Sequence, residues 1–440
     1  MTNSISGIKR FGGILLAWLI LFPLLCGAAA GASSAGSGDE LPALTETVRS
    51  DIRLVRQYAA QLLAENLKPD YTLGGFSWDT EKRPAGWLYY NGFMLDALLC
   101  LNVEGSRGMA EAFFRDHILP DGSIPAYRDG ALDSAEPMRP LVWHLMDDPA
   151  PDPRWLNAIR WVYARLEGQR VYPACGNNFL HLQDEKGAPA ANFRRYPIIL
   201  DGLYMTQPFL AKCASLIRAG VLQLTDRKGR PVTAEALEER IIGRYAWIQS
   251  YMYDRGARLY QHGWDVQSSA GNGRYWGRGI GWLAMSMADV IGLLPDGPGK
   301  TRLQGILIQL LDGMLPYQDE ASGMWYNVVN RGSDLPGNLT ETSVTCMMAY
   351  ALVKVWNDGY APGNHYLLQG LRAFHGVVET KMSVRDGRIH VHDTYLKSGA
   401  GDSDEYYCKE GYTTDEAKGT AALLMAAAVI EEALSVDTGE

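Results

Sequence analysis

The sequence predicts an all-α protein, a closed ring of six helical hairpins in one large domain. Three observations predict it. Apolar residues recur at three- and four-residue steps in roughly twelve segments, while strand-like alternation is weak. Alternate segments differ in kind: 283–294, 340–356 and 418–430 are apolar or small almost all round, whereas 45–67 and 233–253 carry a charged face. No Pro/Ser-rich linker or charge run divides the chain. Inner and outer helices in alternation, joined as antiparallel hairpins, give the ring.

In chain order the helices fall near 47–67, 88–100, 107–117, 134–147, 151–167, 201–219, 233–253, 281–294, 300–318, 340–358, 362–379 and 415–435. Short pieces such as Trp325–Val329 and Ile389–Val391 read as small hairpins on loops. Ahead of the ring, Lys9 and Arg10 precede the apolar run Ile14–Leu25, and Ala28-Ala29-Ala30 offers a cleavage site. Residues 1–30 therefore read as a signal peptide of a secreted or periplasmic protein, with no stable membrane insertion after cleavage. Residues 31–40 read as a flexible tail, and 41–437 as the barrel.

The net charge of −9, with no basic cluster, argues against nucleic-acid binding. Without Cys26 the remaining cysteines, Cys100, Cys175, Cys213, Cys346 and Cys408, are odd in number and lack a CxxC pair. They suggest neither a disulfide framework nor a cysteine metal site. No metal or other cofactor is expected.

In such a ring all inner helices run the same way, so their N-termini share one rim. The stretches entering them hold the residues able to do chemistry. They are Gly86–Tyr89, Leu132-Asp133, Asp201-Gly202, Trp276–Trp282, Thr340–Ser343 and Thr414–Gly419. Free N–H groups and positive dipole ends there favour an anionic ligand.

Asp201 opens an amphipathic helix behind Ile198–Leu200. It reads either as an N-cap or as a catalytic acid whose pKa is lifted by apolar surroundings. His262 lies in the HGWD loop. Four of the seven residues in Trp276–Trp282 are Gly or Arg, and such glycines permit close approach. Trp faces stack on sugar rings and an Arg fork grips a carboxylate, so Asp201, Asp133, His262, Trp276, Arg278 and Trp282 together suit a small acidic oligosaccharide. Each also has a structural reading: Asp133 as a cap, Arg278 paired with Asp265 or Asp133, Trp282 as core.

At this point the chain resembles the unsaturated rhamnogalacturonyl hydrolases, glycoside hydrolase family 105. The resemblance rests on RYPIILDGLYMTQPFLA (195–211), LYQHGWD (259–265), YWGRGIGWLAMSMADVIGLLP (275–295), ETSVTCMMAYALVKVWNDGY (341–360) and DEAKGTAALLMAA (415–427), with ALDSAEPMRPLVWHL (131–145) a weaker match. It implies an (α/α)6 barrel and a site at the inner-helix rim. It also implies hydration of a 4,5-unsaturated uronic acid rather than attack at the anomeric carbon. Asp201 is then the residue that protonates carbon 4 and assists water at carbon 5. Asp133 is a substrate or water contact, and His262, Trp276 and Arg278 surround the unsaturated sugar and its carboxylate. The chain departs from the pattern at Ile280, Ile198-Ile199 and Asn192–Arg195. Those positions bear on the aglycone sugar, so rhamnose, another neutral sugar and sulfated rhamnose stay open. The alternatives are an unsaturated glucuronyl hydrolase and a non-catalytic carbohydrate-binding protein.

Overall fold

The computed structural model describes residues 37–66, 86–148, 151–361 and 363–436. The expected signal peptide and all of the expected tail before Ser37 lie outside them. The compact unit Leu41–Glu440 holds the helices of the ring.

Eleven of the twelve expected helices form as regular α-helices: α1 (Ser37–Asn66), α2 (Tyr89–Cys100), α3 (Ser106–His117), α5 (Pro153–Gly168), α6 (Asp201–Arg218), α7 (Ala234–Tyr251), α8 (Gly277–Leu293), α9 (Pro298–Met314), α10 (Thr342–Asn357), α11 (His365–Lys381) and α12 (Ala417–Val436). Ser37–Glu40, expected in the flexible tail, belong to α1.

The fourth helix is a correction. In place of one helix over 134–147 the chain makes a 3-10 turn at Leu132–Ser134, a single α-turn at Met138–Pro140 (α4), and a π-turn at Leu141–Leu145. Pro137 and Pro140 are the cause, since each lacks an N–H and crowds the preceding turn. The π-turn takes up the misfit, with Met146 N–H bonding back to Leu141 at 3.2 Å.

The inner ring closes as α2–α4–α6–α8–α10–α12–α2, every neighbouring pair in contact. Outer helices lie against it, α3 on α2, α7 on α6, α9 on α8 and α11 on α10. The all-round apolar inner helices are buried as their composition predicts: α8 is buried from Gly277 to Ile291. Two of its glycines set helix separation. A Cβ on Gly281 would stand 2.8 Å from Met347 Sδ, and one on Gly277 would stand 2.9 Å from Val344 Cγ2.

Strands are few and short. Met382–Arg385 and Arg388–Val391 form a hairpin that includes the expected Ile389–Val391. Trp325–Val329 does not; it makes isolated bridges, Trp276 with Val328 and Tyr326 with Thr340. The five cysteines described are free, Cys213 and Cys346 fully buried and Cys100 half-buried.

Candidate active site

Asp201 is the first residue of α6, behind Leu200, and its side chain caps nothing: the N-cap reading fails. Backbone pairing decides where it points. Ile198 and Ile199 pair antiparallel with Trp264 and Gly263, and Leu200 N–H bonds His262 C=O at 3.2 Å. That register sets His262 beside Asp201, and its Nε2 lies 2.8 Å from Asp201 Oδ2.

The other face of His262 fixes its tautomer. Its Nδ1 lies 2.9 Å from the Tyr407 hydroxyl. That hydroxyl already accepts from Gly401 N–H at 3.1 Å and from Asn272 Nδ2 at 2.9 Å. With both acceptor positions filled, the phenol proton goes to Nδ1, and Nε2–H donates to Asp201. Trp276 packs its ring on the imidazole at 4.8 Å and donates its indole N–H to Asn327 Oδ1 at 2.9 Å. Gly279 gives His262 room, since a Cβ there would stand 2.8 Å from His262 Cδ2.

The electrostatics correct the expected pKa of Asp201. Burial pushes it up, as Ile198, Ile199 and Leu200 would suggest. The electrostatic pull and hydrogen bond of His262, with the pull of His181, outweigh burial and hold the carboxyl below its ordinary value. In the ligand-free site Asp201 is a carboxylate.

Asp133 stands on the 3-10 turn with 42% of its side chain exposed, and pairs with His181 Nε2 at 3.3 Å. His181 reaches it through the backbone: its N–H bonds Pro197 C=O at 2.9 Å, and its C=O accepts from Leu132 N–H at 3.0 Å. His181 is buried and its Nδ1 has no hydrogen-bond partner. Burial opposes its protonation, but the charge and hydrogen bond of Asp133, then the charge of Asp201, raise its pKa above the ordinary imidazole value. Tyr89, at the start of α2, completes this side. Burial raises its phenol pKa, and Asp133, Glu416, Arg278 and Asp201 all act on it. The N-termini of the inner helices therefore converge on one site.

Arg278 and Trp282 are both buried against neighbouring helices. Arg278 is 1% exposed. It donates to Tyr395 C=O at 2.6 Å and Ser343 Oγ at 3.3 Å, and lies 3.5 Å from Glu341 Oε1. Its acid partner is neither Asp265 nor Asp133. Glu341 in turn caps α10, accepting from Val344 N–H at 2.8 Å. Arg278 thus ties α8 to α10 behind the site, its guanidinium 4.7 Å from the Trp276 ring centre. Trp282, also 1% exposed, is core: it packs on Phe93 at 4.9 Å and Tyr204 at 4.5 Å. Trp276 is equally buried and presents its ring to His262.

Sequence reasoning missed His181, Tyr407 and Asn272, and passed Tyr89 as a mere helix start. Tyr407 lies 145 residues from the imidazole it orients, and no local pattern announces it.

What the cluster can do is proton chemistry. It has one buried carboxylate held by a fixed donor, a second more open carboxylate, and a buried imidazole paired with the second.

The model of Glycosyl Hydrolase Family 88 matches residues 84–434. Protein Atu3128 of Agrobacterium fabrum is 32% identical over 222 residues, covering 45% of this chain and 91% of that protein. The unsaturated rhamnogalacturonyl hydrolase YesR of Bacillus subtilis is 30% identical over 148 residues, 33% of this chain and 41% of that protein. Among solved structures, a family 105 glycoside hydrolase of C. acetobutylicum ATCC 824 superposes with a TM-score of 0.70 at 22% identity, covering 86% of this chain and 99% of that one.

Proposed function

The chain belongs to Glycosyl Hydrolase Family 88 and is a glycosidase of the unsaturated uronyl hydrolase kind, and from that premise we propose that it removes the 4,5-unsaturated uronic acid from the non-reducing end of lyase-generated rhamnogalacturonan disaccharide. The observation that carries the reading is the Asp201–His262–Tyr407 chain, one carboxylate with one fixed donor at the inner-helix rim.

The reaction is hydration of a vinyl ether. Asp201 delivers a proton to carbon 4 and positive charge develops at carbon 5. The regenerated carboxylate takes a proton from a water as its oxygen adds to carbon 5. The hemiketal opens and the aglycone sugar leaves with its oxygen, so one water is consumed. Because Asp201 rests ionised, its proton comes from elsewhere. We assign it to His181, whose protonation burial opposes but the charges of Asp133 and Asp201 favour. An entering uronate carboxylate adds like charge and excludes water, which raises Asp201 and moves the proton onto it. His262 Nε2–H then steadies the carboxylate each time it reforms.

Asp133 serves as a contact to substrate or attacking water, its exposure suiting that role. Arg278 and Trp276 act from behind, by holding α8 and His262. A small acidic oligosaccharide is the partner. The N-terminal leader supports secretion or export to a periplasm. No helix among the described residues is long and apolar enough to cross a membrane.

The test is the ultraviolet absorbance of the substrate's conjugated double bond over time, with lyase-generated unsaturated rhamnogalacturonan disaccharide. Decay with wild type and a flat trace with Asp201→Asn is the expected result. Decay only with ulvan or glycosaminoglycan fragments would overturn the substrate and keep the chemistry. Inertness towards all three would overturn the reading in favour of a binding protein.

A further inference from the structure

Two turns into α2, away from the rim, a second cluster has no part in this chemistry. Asp96 and Cys100 stand four residues apart, on one face of the helix. The π-turn brings His144 against them, with Nε2 2.8 Å from Asp96 Oδ1 and 3.7 Å from Cys100 Sγ. All three donor atoms lie within 4.8 Å of one another. We propose that Asp96, Cys100 and His144 bind a zinc-class divalent cation that pins α2 to the broken fourth helix.

Three observations support it. The first is the donor set. Sulfur, imidazole nitrogen and carboxylate oxygen are the three atoms zinc takes, and three protein ligands plus a water make a tetrahedral site. Zinc–ligand bonds of roughly 2.0–2.3 Å put tetrahedral donors about 3.3–3.8 Å apart. The Cys100–His144 separation of 3.7 Å already fits, and the Asp96–His144 pair would open slightly.

The second is charge. Asp96 and Asp289 are both fully buried, and Arg139 pairs with both. Tyr350 donates to Asp289 at 2.6 Å but brings no charge. This hydrogen-bonded group therefore holds two carboxylates against one guanidinium, and buried charge calls for compensation. Binding a dication while Cys100 releases its thiol proton to solvent brings the count to zero. Arg139 then acts as the outer partner that orients the ligating carboxylate.

The third is access and rigidity. His144 keeps 24% of its side chain exposed, so the ion has a way in. The π-turn that positions it is a costly local geometry of a kind found at functional positions.

The test uses the whole chain, freed of metal with a chelator and titrated with Co2+. The expected result is one equivalent bound, a thiolate-to-cobalt charge-transfer band, and displacement of the band by Zn2+. Cys100→Ser should abolish the band, and His144→Gln should weaken binding by more than the roughly 10- to 100-fold that loss of an outer-shell partner costs. No band, or a band unchanged in Cys100→Ser, overturns the site. A second measurement needs no variant. Zn2+ should slow alkylation of Cys100 in the wild type while leaving Cys408, also half-buried, at its original rate. Equal rates at Cys100 with and without Zn2+ overturn the proposal even where the variants do not fold.

Discussion

Asp201 and Asp133 each enter an inner element of the ring, and each meets a histidine. They differ in burial and in what holds the histidine. Asp201 keeps 12% of its side chain exposed and its imidazole none. Asp133 keeps 42%, and His181, although buried, is held by Asp133, by its own backbone and by the Phe193 ring at 4.9 Å. The fixed pair favours a carboxylate that must not wander. The open pair favours a histidine that can give up a proton. One pairing of residue types thus supplies two halves of an acid–base cycle because its surroundings differ.

Four substitutions would break or sharpen that contrast. Asp201→Asn should reduce kcat by about 10³-fold, within the range for losing a positioned acid–base group, and a loss below tenfold in the absorbance assay would remove Asp201 from its role. Gly279→Ala sets a methyl against His262 and should displace the imidazole. About 10²-fold in kcat is expected, since small misplacements cost that much. A crystal structure with His262 unmoved would refute the cause.

Tyr407→Phe removes the hydrogen bond that fixes the tautomer. One such bond is worth about 1 kcal/mol, so a loss of about fivefold in kcat with an unchanged melting temperature is expected. Full activity would show that Asp201 alone orients His262. The smallest effect belongs to Asp133→Asn. His181 is raised by Asp133, so kcat/KM should fall with rising pH only above the ordinary imidazole range in the wild type. Removing the negative charge lowers the pKa of His181, and the basic limb should move to lower pH. A limb that stays in place would show that His181 does not hold the proton.

The sequence was readable where a property is local. Helices α8, α10 and α12 are apolar on every side and therefore lie inside. Asp201 draws attention in the sequence because it stands at a helix start behind the apolar triplet Ile198–Leu200. The fourth helix was not: its apolar spacing continues through Pro137 and Pro140, which break the backbone regardless. Arg278 carries two readings in the sequence, because an arginine fork has the same chemistry facing a sugar or facing Glu341. Only the meeting of α8 with α10 decides between them. Trp282 fell to a similar ambiguity, its ring equally suited to a sugar face or to Phe93 and Tyr204. His181, Tyr407 and Asn272 acquire meaning from neighbours distant in the chain, which spacing does not reveal.

The ring closes by seating α12 against α2, and Tyr407 arrives only shortly before that last helix. A ribosome must therefore finish nearly the whole chain before His262 acquires its second partner. Contacts of such long span also slow folding. A chain cut short before Tyr407 lacks both the hydroxyl that holds His262 Nδ1 and the helix that closes the ring.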